Sequence, residues 1–347
     1  MYINKPKLEI KLAFITGLRE VVLNEINQYS NLRVIEKEKD FVYLDFIQDF
    51  TQLAVLKSIL RAYIIVRDTR YTPYYISKHK SILSNLVAMV IKDKKDKFKT
   101  FKITCAGSNS PEVRSIAKYI QETYRITEEE NSDLKLHIIK TDRTWEIGAQ
   151  TTPRPLSLRD YKIKNMSGAM NPTIAYAMNS FCNLNNANSY LNIFSGSATL
   201  LIEAGQYYPE LKQLVGFDNN KKNISLAMQN IKKAGLIKKI QLKEKDIFDK
   251  PDLGKFDVIT SDLPFGMVMS KYEKLEDLYR CFVEYCQKTI NREGKLVIYT
   301  SKHEMLRKII LESKFKIIKT LDLKIITSVN AYLYPKIFVC RLRQGRT

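Results

Sequence analysis

The sequence predicts an α/β protein with a large, mostly parallel sheet in its second half and two smaller α+β blocks before it. From Asn171 onward, short apolar strand patterns alternate with stretches of helical period. This alternation is typical of a parallel sheet with crossover helices on both faces. Before it, the first 68 residues follow the order β-α-β-β-α-β, which is the ferredoxin-like split βαβ motif.

The first block is predicted from the order of its short elements. A strand over 8–16 precedes an amphipathic helix that begins at Gly17 and ends near Gln28. Two strands joined by a polar turn, a second helix and a closing strand follow, at 32–36, 41–46, 50–61 and 63–68. We expect a ferredoxin-like domain over residues 1–71.

The second block is predicted to be another α+β domain over 72–150. Pro111 and Glu112 suit a helix N-terminus, where proline's missing donor costs nothing and a carboxylate meets the helix dipole. The basic run 92–99 is either a solvated loop or a phosphate contact. Residues 151–168 contain two prolines and several basic residues, and they predict an extended linker. The elements predicted for the block are a helix at 78–91, a strand at 101–107, a helix at 111–125, and strands at 134–140 and 144–149.

The third block, residues 169–347, is predicted to form the large sheet. After a last helix near 304–313, strands at 315–323 and 335–342 are joined by a turn too short for a crossover helix, so they should pair antiparallel at one edge. An antiparallel edge strand distinguishes the seven-stranded, Rossmann-like methyltransferase sheet from the nicotinamide-binding one. The five preceding strands are predicted at 190–194, 214–217, 239–243, 256–260 and 295–300.

Composition narrows the classes of function. The chain has 57 Lys and Arg against 37 Asp and Glu, a formal charge of +20, which suits a polyanionic partner such as nucleic acid. A lysine-rich genome would give the same bias, so charge alone does not decide. Five cysteines without a CxxC pair predict neither disulfides nor a zinc site, as expected in a reducing cytoplasm. No apolar run is long enough to span a membrane, and no signal peptide is predicted.

Ligands of a doubly wound sheet bind beyond the carboxyl ends of its strands. The first large-sheet strand ends in small residues around Gly196, which allow a tight turn beneath a ligand, although a short βα turn would have the same composition. Asp218, 22 residues further on, ends the second strand. At that spacing an acidic residue can accept hydrogen bonds from both hydroxyls of a ribose. The alternative is that Asp218 caps the next helix, a role for which Asn219 and Asn220 compete.

The third strand ends near Asp246 and Ile247. Asp246 is suited to accept a hydrogen bond from an adenine amino group, while Ile247 packs on the ring. The spacing alone favours this interpretation only slightly over a plain turn.

The fourth strand ends in VITSDLPFG (258–266), which carries the most specific signal. A base amino group is a poor nucleophile because its lone pair is delocalised into the ring. Two acceptors for its N–H groups, the Asp262 carboxylate and the Leu263 carbonyl, would localise that lone pair and direct it at a methyl sulfonium. Pro264 stiffens the turn, and Phe265 offers a face on which a base can stack. The alternative is a proline turn with an exposed phenylalanine.

These segments together resemble a known family. Residues 258–266 resemble the (D/N)-(P/L)-P-(Y/F)-G motif of amino-group methyltransferases, and their Leu and Phe look like the branch of THUMP-domain tRNA guanine-N2 methyltransferases. LSLRDYKIKNMSGAMNPTIAYAM (156–178) is similar to that family's RxYR-like leading segment and its Asn-Pro-Thr helix start. NIFSGSATLLIEA (192–204) resembles its cofactor loop. The first two blocks match its RNA-binding half by pattern, with 72–150 as the THUMP domain.

The resemblance implies a metal-independent, monomeric and cytoplasmic enzyme that uses S-adenosylmethionine to methylate guanine N2 in tRNA, in the acceptor-stem region of the position-6 type. It implies catalytic roles for Asp262, Leu263, Pro264 and Phe265. The cofactor-binding residues that it implies are Phe194, Ser195, Gly196, Ser197, Thr199, Asp218, Asn219, Asp246 and Ile247.

The sequence departs from the family pattern at several positions. Asn192 stands where the family often has Asp, and Ser195 where it has Cys. Ala198 replaces a glycine, and because alanine favours a negative φ, either the loop differs slightly there or the family's glycine is not strictly needed. These departures predict a reduced cofactor affinity. The Arg common after the F-G pair is absent at 267–269, where Lys271 is the nearest substitute.

Three alternatives stay open from the sequence. The same chemistry could act on rRNA or on another tRNA position. A DNA adenine-N6 methyltransferase would use the same four-residue motif, although the THUMP-like half argues against it. A non-catalytic RNA-binding protein with a decayed cofactor loop is the alternative from a different class.

Overall fold

The computed structural model describes residues 7–343 except 69–75, 93–96, 106–108, 142–144, 165, 167, 267–271 and 329. Lys271, the substitute for the missing Arg, and the middle of the basic run 92–99 therefore lie outside the described residues. The chain divides into two compact units, Met1–Phe14 with Val22–Ser157 and Ile15–Val21 with Leu158–Thr347. In the described part of the chain, no helix has the length and apolar character needed to cross a bilayer.

The first unit contains one eight-stranded sheet with the order β2-β3-β1-β4-β8-β7-β5-β6. The strands predicted for the first and second blocks thus share a sheet, because β8 pairs with β4. The elements up to residue 150 are the strands β1 (Leu8–Phe14), β2 (Val34–Lys37), β3 (Phe41–Asp45), β4 (Ile59–Asp68), β5 (Thr100–Cys105), β6 (Thr127–Glu128), β7 (Leu134–Lys140) and β8 (Trp145–Gln150), with the helices α1 (Arg19–Ile26), α2 (Ile76–Ile91) and α3 (Pro111–Tyr124).

The helix predicted over 50–61 is wrong. Only a single 3-10 turn, Phe50–Leu53, forms there, and β4 begins at Ile59. The buried carboxylate of Glu25 accepts hydrogen bonds from the backbone N–H of Ser58 at 2.9 Å and from that of the residue before it at 2.8 Å. These bonds hold the chain in an extended path, because the two N–H groups are no longer available to a helix.

The segment predicted as a linker, 151–168, is bound to its neighbours. The backbone N–H of Thr151 donates to the carbonyl of Ala62 at 2.9 Å, and that of Leu156 donates to Leu60 at 2.8 Å. The first part of the segment therefore continues alongside β4. The domain boundaries at 71, 150 and 168 remain predictions.

The second unit contains a seven-stranded sheet with the order β11-β10-β9-β12-β13-β17-β14. The five strands predicted in alternation with helices are confirmed, and they pair in parallel with one another. Its elements are α4 (Pro172–Ser180), β9 (Ser189–Ile193), α5 (Thr199–Tyr207), β10 (Gln213–Asp218), α6 (Lys221–Lys233), β11 (Ile240–Glu244), β12 (Phe256–Asp262), α7 (Tyr272–Thr289), β13 (Ile290–Thr300), α8 (His303–Glu312), β14 (Phe315–Asp322), β15 (Ile325–Ser328), β16 (Ala331–Leu333) and β17 (Lys336–Leu342).

The last two sheet strands pair antiparallel, as predicted. The antiparallel strand itself, β17, lies one place in from the edge, between β13 and β14, so the predicted antiparallel edge strand is corrected in its position. The connection from β14 to β17 also contains an unpredicted two-stranded hairpin, β15–β16.

Buried apolar side chains hold this sheet between its helices. Leu191, Ile193 and Ile259 of the central strands are fully buried, and Phe282 of α7 packs in the same cluster. At about 25 cal/mol per Å² of buried apolar surface, such side chains stabilise the fold by roughly 1.5–3 kcal/mol each. The central strands are thereby fixed in register, and their carboxyl ends lie along one edge.

Candidate active site

Four adjacent parallel strands, β11, β10, β9 and β12, end at the same edge of the sheet. Because each is followed by a segment predicted to bind a ligand, this edge brings together all the residues that the sequence predicted for the site. The four segments are 194–199, 218–220, 245–248 and 262–266.

The loop after β9 has an alternating left-handed backbone. Phe194, Gly196 and Ala198 have φ values of 56°, 50° and 60°. The prediction that Ala198 keeps a negative φ is wrong, since the loop retains its tight course despite the Cβ. A left-handed alanine costs about 1–2 kcal/mol, so the surrounding hydrogen bonds hold the strained conformation in place.

Those hydrogen bonds tie the loop to β10. The Ser195 hydroxyl donates to the Asn192 carbonyl at 2.9 Å, and the Ser195 N–H donates to the Phe217 carbonyl at 3.0 Å. A Cβ on Gly216 would lie 2.4 Å from Ser195 Oγ, so only glycine fits at that point of β10. The hydroxyls of Ser197 and Thr199 bond each other at 2.9 Å. Ser195, Ser197 and Thr199 are buried, so their hydroxyls hold the loop from its protein-facing side.

Asn192 lies buried at the end of β9. Its amide donates to the Thr260 carbonyl at 3.2 Å, a bond that an aspartate could not make. Its Oδ1 has no hydrogen-bond partner among the described residues. The departure from Asp therefore stabilises the β9–β12 contact and leaves one buried acceptor beneath the loop.

Asp218 organises the edge between the first two loops. Its Oδ2 accepts from the Gly196 N–H at 2.9 Å, and its Oδ1 accepts from the N–H of Asn220 and the amide of Asn223 at 3.0 and 3.1 Å. A carboxylate has about four acceptor positions, so one is left for a ribose hydroxyl rather than the predicted two. Asn220, not Asp218, caps α6, through a 2.9 Å bond from Lys222 N.

The end of β11 is joined to the end of β10. The Asn219 amide donates to Asp246 Oδ2 at 3.0 Å, and the Phe248 N–H donates to Asp246 Oδ1 at 2.9 Å. Asp246 retains acceptor positions for a ligand amine. Ile247 lies in the core with 2% of its surface exposed, whereas Phe248 is 54% exposed. Phe248 is the apolar ring at this edge that the sequence reasoning missed.

The turn after β12 is held by its backbone. The Leu263 N–H donates to the Tyr299 carbonyl at 3.0 Å, and the buried Tyr279 hydroxyl donates to the Pro264 carbonyl at 3.0 Å. The ring of Phe265 lies 5.8 Å from that of Tyr299, centroid to centroid. Gly266, at φ 82°, takes a conformation that a side chain would strain. The turn is therefore fixed without using the Asp262 carboxylate.

Asp262 is an uncommitted acceptor. No described residue donates a hydrogen bond to its carboxylate, and none donates to the Leu263 carbonyl beside it. The side chain is partly open to solvent, yet it is enclosed deeply enough that burial raises its pKa to about 8, with the charge of Lys162 acting in the opposite direction. Burial of Tyr299 and, after it, the charge of Asp262 raise the pKa of the Tyr299 hydroxyl.

The segment before α4 supplies a cation to this turn. Arg159 and Tyr161 both bond the buried Glu203 of α5, at 3.1 Å from Arg159 Nε and 2.7 Å from the Tyr161 hydroxyl. Directly after them in the chain, Lys162 donates to the Met170 carbonyl at 2.6 Å and interacts with the charge of Asp262. Burial lowers the Lys162 pKa, and the charges of Glu203 and Asp262 oppose that shift.

The sequence reasoning assigned this segment no individual site residue. The RxYR-like stretch was the available signal, since Lys162 holds its second basic position, directly after the two residues that anchor on Glu203. Lys164 N further donates to the Asn230 side chain at 3.0 Å, and Asn230 donates back to the Lys164 carbonyl at 3.1 Å. The segment is thus bound to α5 and α6 and belongs to the site.

Comparison with known proteins finds methyltransferases that are similar to part of this chain. Residues 159–327 match the RMKL-like methyltransferase domain family. The bovine (Bos taurus) protein named U6 snRNA (guanine-N(2))-methyltransferase THUMPD2 is 30% identical over 172 residues, covering 49% of this chain and 33% of the relative. The Archaeoglobus fulgidus protein named tRNA (guanine(6)-N2)-methyltransferase is 23% identical over 198 residues, covering half of each. The chain thus spans a third to a half of these curated relatives.

Solved structures share the fold of the whole chain. TrmN from Thermus thermophilus aligns over 97% of this chain and 100% of its own, with a TM-score of 0.78 and 17% identity. A putative methyltransferase solved in complex with SAH aligns over 99% and 100%, with a TM-score of 0.70 and 15% identity. The methyltransferase fold predicted from the sequence is therefore confirmed.

Proposed function

We propose that this chain transfers a methyl group from S-adenosylmethionine to the exocyclic N2 of a guanosine in RNA, a proposal supported by the match of residues 159–327 to the RMKL-like methyltransferase domain family. The observation that carries the proposal is the pair of open acceptors, the Asp262 carboxylate and the Leu263 carbonyl, on a turn that is held by hydrogen bonds at the Leu263 N–H and the Pro264 carbonyl. Two N–H donors of one amino group match two adjacent acceptors.

The residues at the neighbouring strand ends fit the adenosyl part of such a cofactor. Asp218 retains one acceptor position for a ribose hydroxyl, and Asp246 retains acceptors for an adenine amine beside the exposed ring of Phe248. Gly196 closes the loop without a side chain. Phe194, Ser195, Ser197, Thr199, Asn219 and Ile247 would shape this cradle. Bound S-adenosylmethionine supplies an electrophilic methyl group.

The proposed chemistry uses positioning rather than a strong base. Ionised Asp262 accepts a hydrogen bond from the amine, which localises the amine lone pair, and Phe265 supports the plane of a flipped base. Lys162 favours the ionised carboxylate, which is the form that accepts. The proton leaves the methylated amine late, to Asp262 or to water. Held geometry of this kind supplies most of the rate, and the reaction requires no metal.

The names of the relatives support guanine N2 in RNA as the target, since one names U6 snRNA and the other guanine 6 of tRNA. We favour tRNA, in the acceptor-stem region, with residues 1–71 as a ferredoxin-like domain and 72–150 as a THUMP domain that bind it. Residues 151–168 would then connect these to the catalytic domain, 169–347. The charge of +20 supports a polyanionic substrate.

We extend the proposal to a cytoplasmic monomer. The five cysteines, all among the described residues, form no disulfide, which suits a reducing compartment. Guanine-N2 methylation of rRNA and DNA adenine-N6 methylation are the competing activities, because each presents an amine to the same turn.

The test combines cofactor binding with product analysis. Calorimetry should detect binding of S-adenosylmethionine to the full chain. Incubation with tritiated cofactor and unmodified tRNA should then yield N2-methylguanosine by mass spectrometry of the digested RNA. Methylated adenine in competing DNA, or cofactor binding without transfer to any RNA, would contradict the proposed activity.

A further inference from the structure

The β15–β16 hairpin is a surface feature that the site described above does not use. Ile326 pairs with Tyr332 across the two strands, so both side chains lie on one face of the hairpin. Tyr334 lies beside Tyr332, with 6.4 Å between ring centroids. Their exposed fractions are 74% for Ile326, 45% for Tyr332 and 56% for Tyr334. The hairpin thus presents an apolar, aromatic surface to solvent.

A cation borders this surface. Lys324 Nζ lies 4.0 Å from the centroid of the Tyr332 ring. The ring is therefore flanked by an ammonium group and by a second tyrosine. Aromatic faces next to basic side chains are the usual surface for unpaired nucleotides, because bases stack on the rings and phosphates are attracted by the cations.

The base of the hairpin is held by hydrogen bonds. The buried Leu323 donates its N–H to the Pro335 carbonyl at 3.0 Å, and Lys324 donates to the Thr16 carbonyl at 3.2 Å. A Cβ on Gly17 would lie 2.0 Å from the Asp322 carbonyl oxygen. The segment that contains Gly17 therefore packs directly on the connection between β14 and the hairpin. The exposed rings are thus held at a fixed place on the domain.

The hairpin lies at the same end of the sheet as Asp262, where β12 and β13 have their carboxyl ends. Asp262 is in register with Tyr299, Tyr299 with Ile337, and Ile337 with Leu321. The hairpin connects the end of β14 to the start of β17. In the sheet, β17 is two strands and β14 three strands away from β12, which carries Asp262, and this is a distance of roughly 10–15 Å at the usual strand spacing. A nucleic acid whose target base reaches Asp262 would extend its neighbouring nucleotides over this distance.

We propose that the face formed by Lys324, Ile326, Tyr332 and Tyr334 binds an unpaired segment of the RNA substrate next to the target nucleotide, by stacking of its bases. This rests on the proposed function, because it requires an RNA whose amine is delivered to Asp262. The positive charge of the chain and of Lys324 complements the phosphates. Sequence-tolerant stacking would hold the strand while Asp262 and Phe265 select the base.

The experiment compares matched variants of the full chain. The double variant Tyr332→Ala/Tyr334→Ala removes both rings, and Tyr332→Phe/Tyr334→Phe keeps them. Leu311→Ala, at a side chain that is 54% exposed on α8, is the control for an unrelated surface change. The probes are a fluorescein-labelled oligouridine 12-mer and unfractionated tRNA, measured by anisotropy, with melting temperature as the check on folding.

We expect the alanine pair to weaken the Kd for both probes by about tenfold or more. The phenylalanine pair and Leu311→Ala should stay within about twofold, because they retain the stacking surface. In methylation assays the alanine pair should raise the KM for RNA with little change in kcat or in the Kd for S-adenosylmethionine.

Unchanged RNA affinity of the alanine pair would overturn the proposal. So would a dimer of the wild type that the alanine pair converts to a monomer with its RNA affinity intact, since the face would then join two copies. An RNA affinity that depends on the rings in a chain that methylates no RNA would instead support this surface and contradict the proposed activity.

Discussion

The two ends of strand β12 carry two aspartates in opposite states. Asp257, at the start, accepts hydrogen bonds from the N–H groups of Asn188 and Ser189 at 2.8 and 3.0 Å and from the Asn291 amide at 2.7 Å. Although burial alone would raise its pKa, these bonds together lower it. Asp262, at the other end, receives no hydrogen bond from the described residues, and burial raises its pKa to about 8.

The comparison separates a structural carboxylate from the one that we propose to be functional. The hydrogen bonds that Asp257 accepts join the starts of β9, β12 and β13. Around Asp262 it fixes the backbone of the turn and leaves the carboxylate without a donor. An enclosed carboxylate without hydrogen-bond donors destabilises the folded state. The presence of Asp262 at this position therefore favours a role in binding a ligand that supplies the donors.

The largest effect should come from removing the carboxylate at the open end. Asp262→Ala should lower methyl transfer by about 100- to 1,000-fold, because the amine loses an acceptor that the transition state requires. Binding of S-adenosylmethionine, measured by calorimetry, should change less than about threefold, since the cofactor cradle is formed by other strands.

Asp257→Asn is the matched control on the same strand. It should keep the rate of transfer per folded molecule. Equal losses of rate in the two variants would show that both act through the fold, and the distinction drawn here between the two ends would fail.

The second effect is on stability, and its sign should differ between the two aspartates. Asp257→Asn should lower the free energy of unfolding by about 1–3 kcal/mol, because it weakens a network of partly buried hydrogen bonds to a charged carboxylate. Asp262→Asn should raise it. Because the folded-state pKa of Asp262 lies above its unfolded value, the stability it contributes is present below about pH 4 and is lost as pH rises towards 8.

Urea unfolding at pH 5 and pH 8 measures this difference. The advantage of Asp262→Asn over wild type should increase with pH, by at most about 1.4 kcal/mol per unit. An advantage that stays constant between the two pH values would show that Asp262 is ionised in the folded state at pH 5.

The third effect concerns the cation beside the open end. In the wild type, kcat/KM should rise with pH up to about 8, as Asp262 ionises. Lys162→Met should move this rise of the pH profile to higher pH by up to about one unit, because the opposite charge that favours the ionised carboxylate is lost. The rate at pH 7 would then fall by as much as about tenfold.

Two variants control for the loss of packing in Lys162→Met. Lys162→Arg keeps the charge and should return the rise of kcat/KM to its wild-type pH. Lys164→Met alters an exposed lysine of the same segment and should leave it in place. A purely structural role for Lys162 would lower the rate equally at all pH values.

The smallest effect should arise at the loop after β9. Ala198→Gly relieves a φ of 60°, but it also increases the entropy of the unfolded chain. The net gain in unfolding free energy should be at most about 1 kcal/mol. The affinity for S-adenosylmethionine should rise by a few fold at most. A loss of stability in Ala198→Gly would show that the methyl group of Ala198, buried in the loop, contributes more than the strain costs.

Local patterns in the sequence were sufficient for the parallel sheet and for the positions of its strand ends. Alternating strand and helix patterns do not depend on distant contacts, and strand ends are where ligand loops must lie. Asp218, Asp246 and Asp262 were found for this reason. The helix over 50–61 was wrong because its periodicity was local, whereas the contact that replaces it, from Glu25, comes from another element.

Lys162 and Ala198 illustrate what the sequence could not predict. The approach of Lys162 to Asp262 depends on Arg159 and Tyr161 both anchoring on Glu203, a buried acid whose partners its own helix does not reveal. The φ of Ala198 depends on hydrogen bonds from Ser195 to β10. Both are tertiary effects that overcome local preference.

The most direct test is the crystal structure of this chain with S-adenosylhomocysteine and a guanosine-containing RNA. The measured quantity is the distance from the Asp262 carboxylate to the exocyclic nitrogen of the bound base. We predict that one carboxylate oxygen and the Leu263 carbonyl oxygen both lie within about 3.2 Å of that nitrogen. A bound base whose amine contacts neither oxygen would contradict the role assigned to the end of β12.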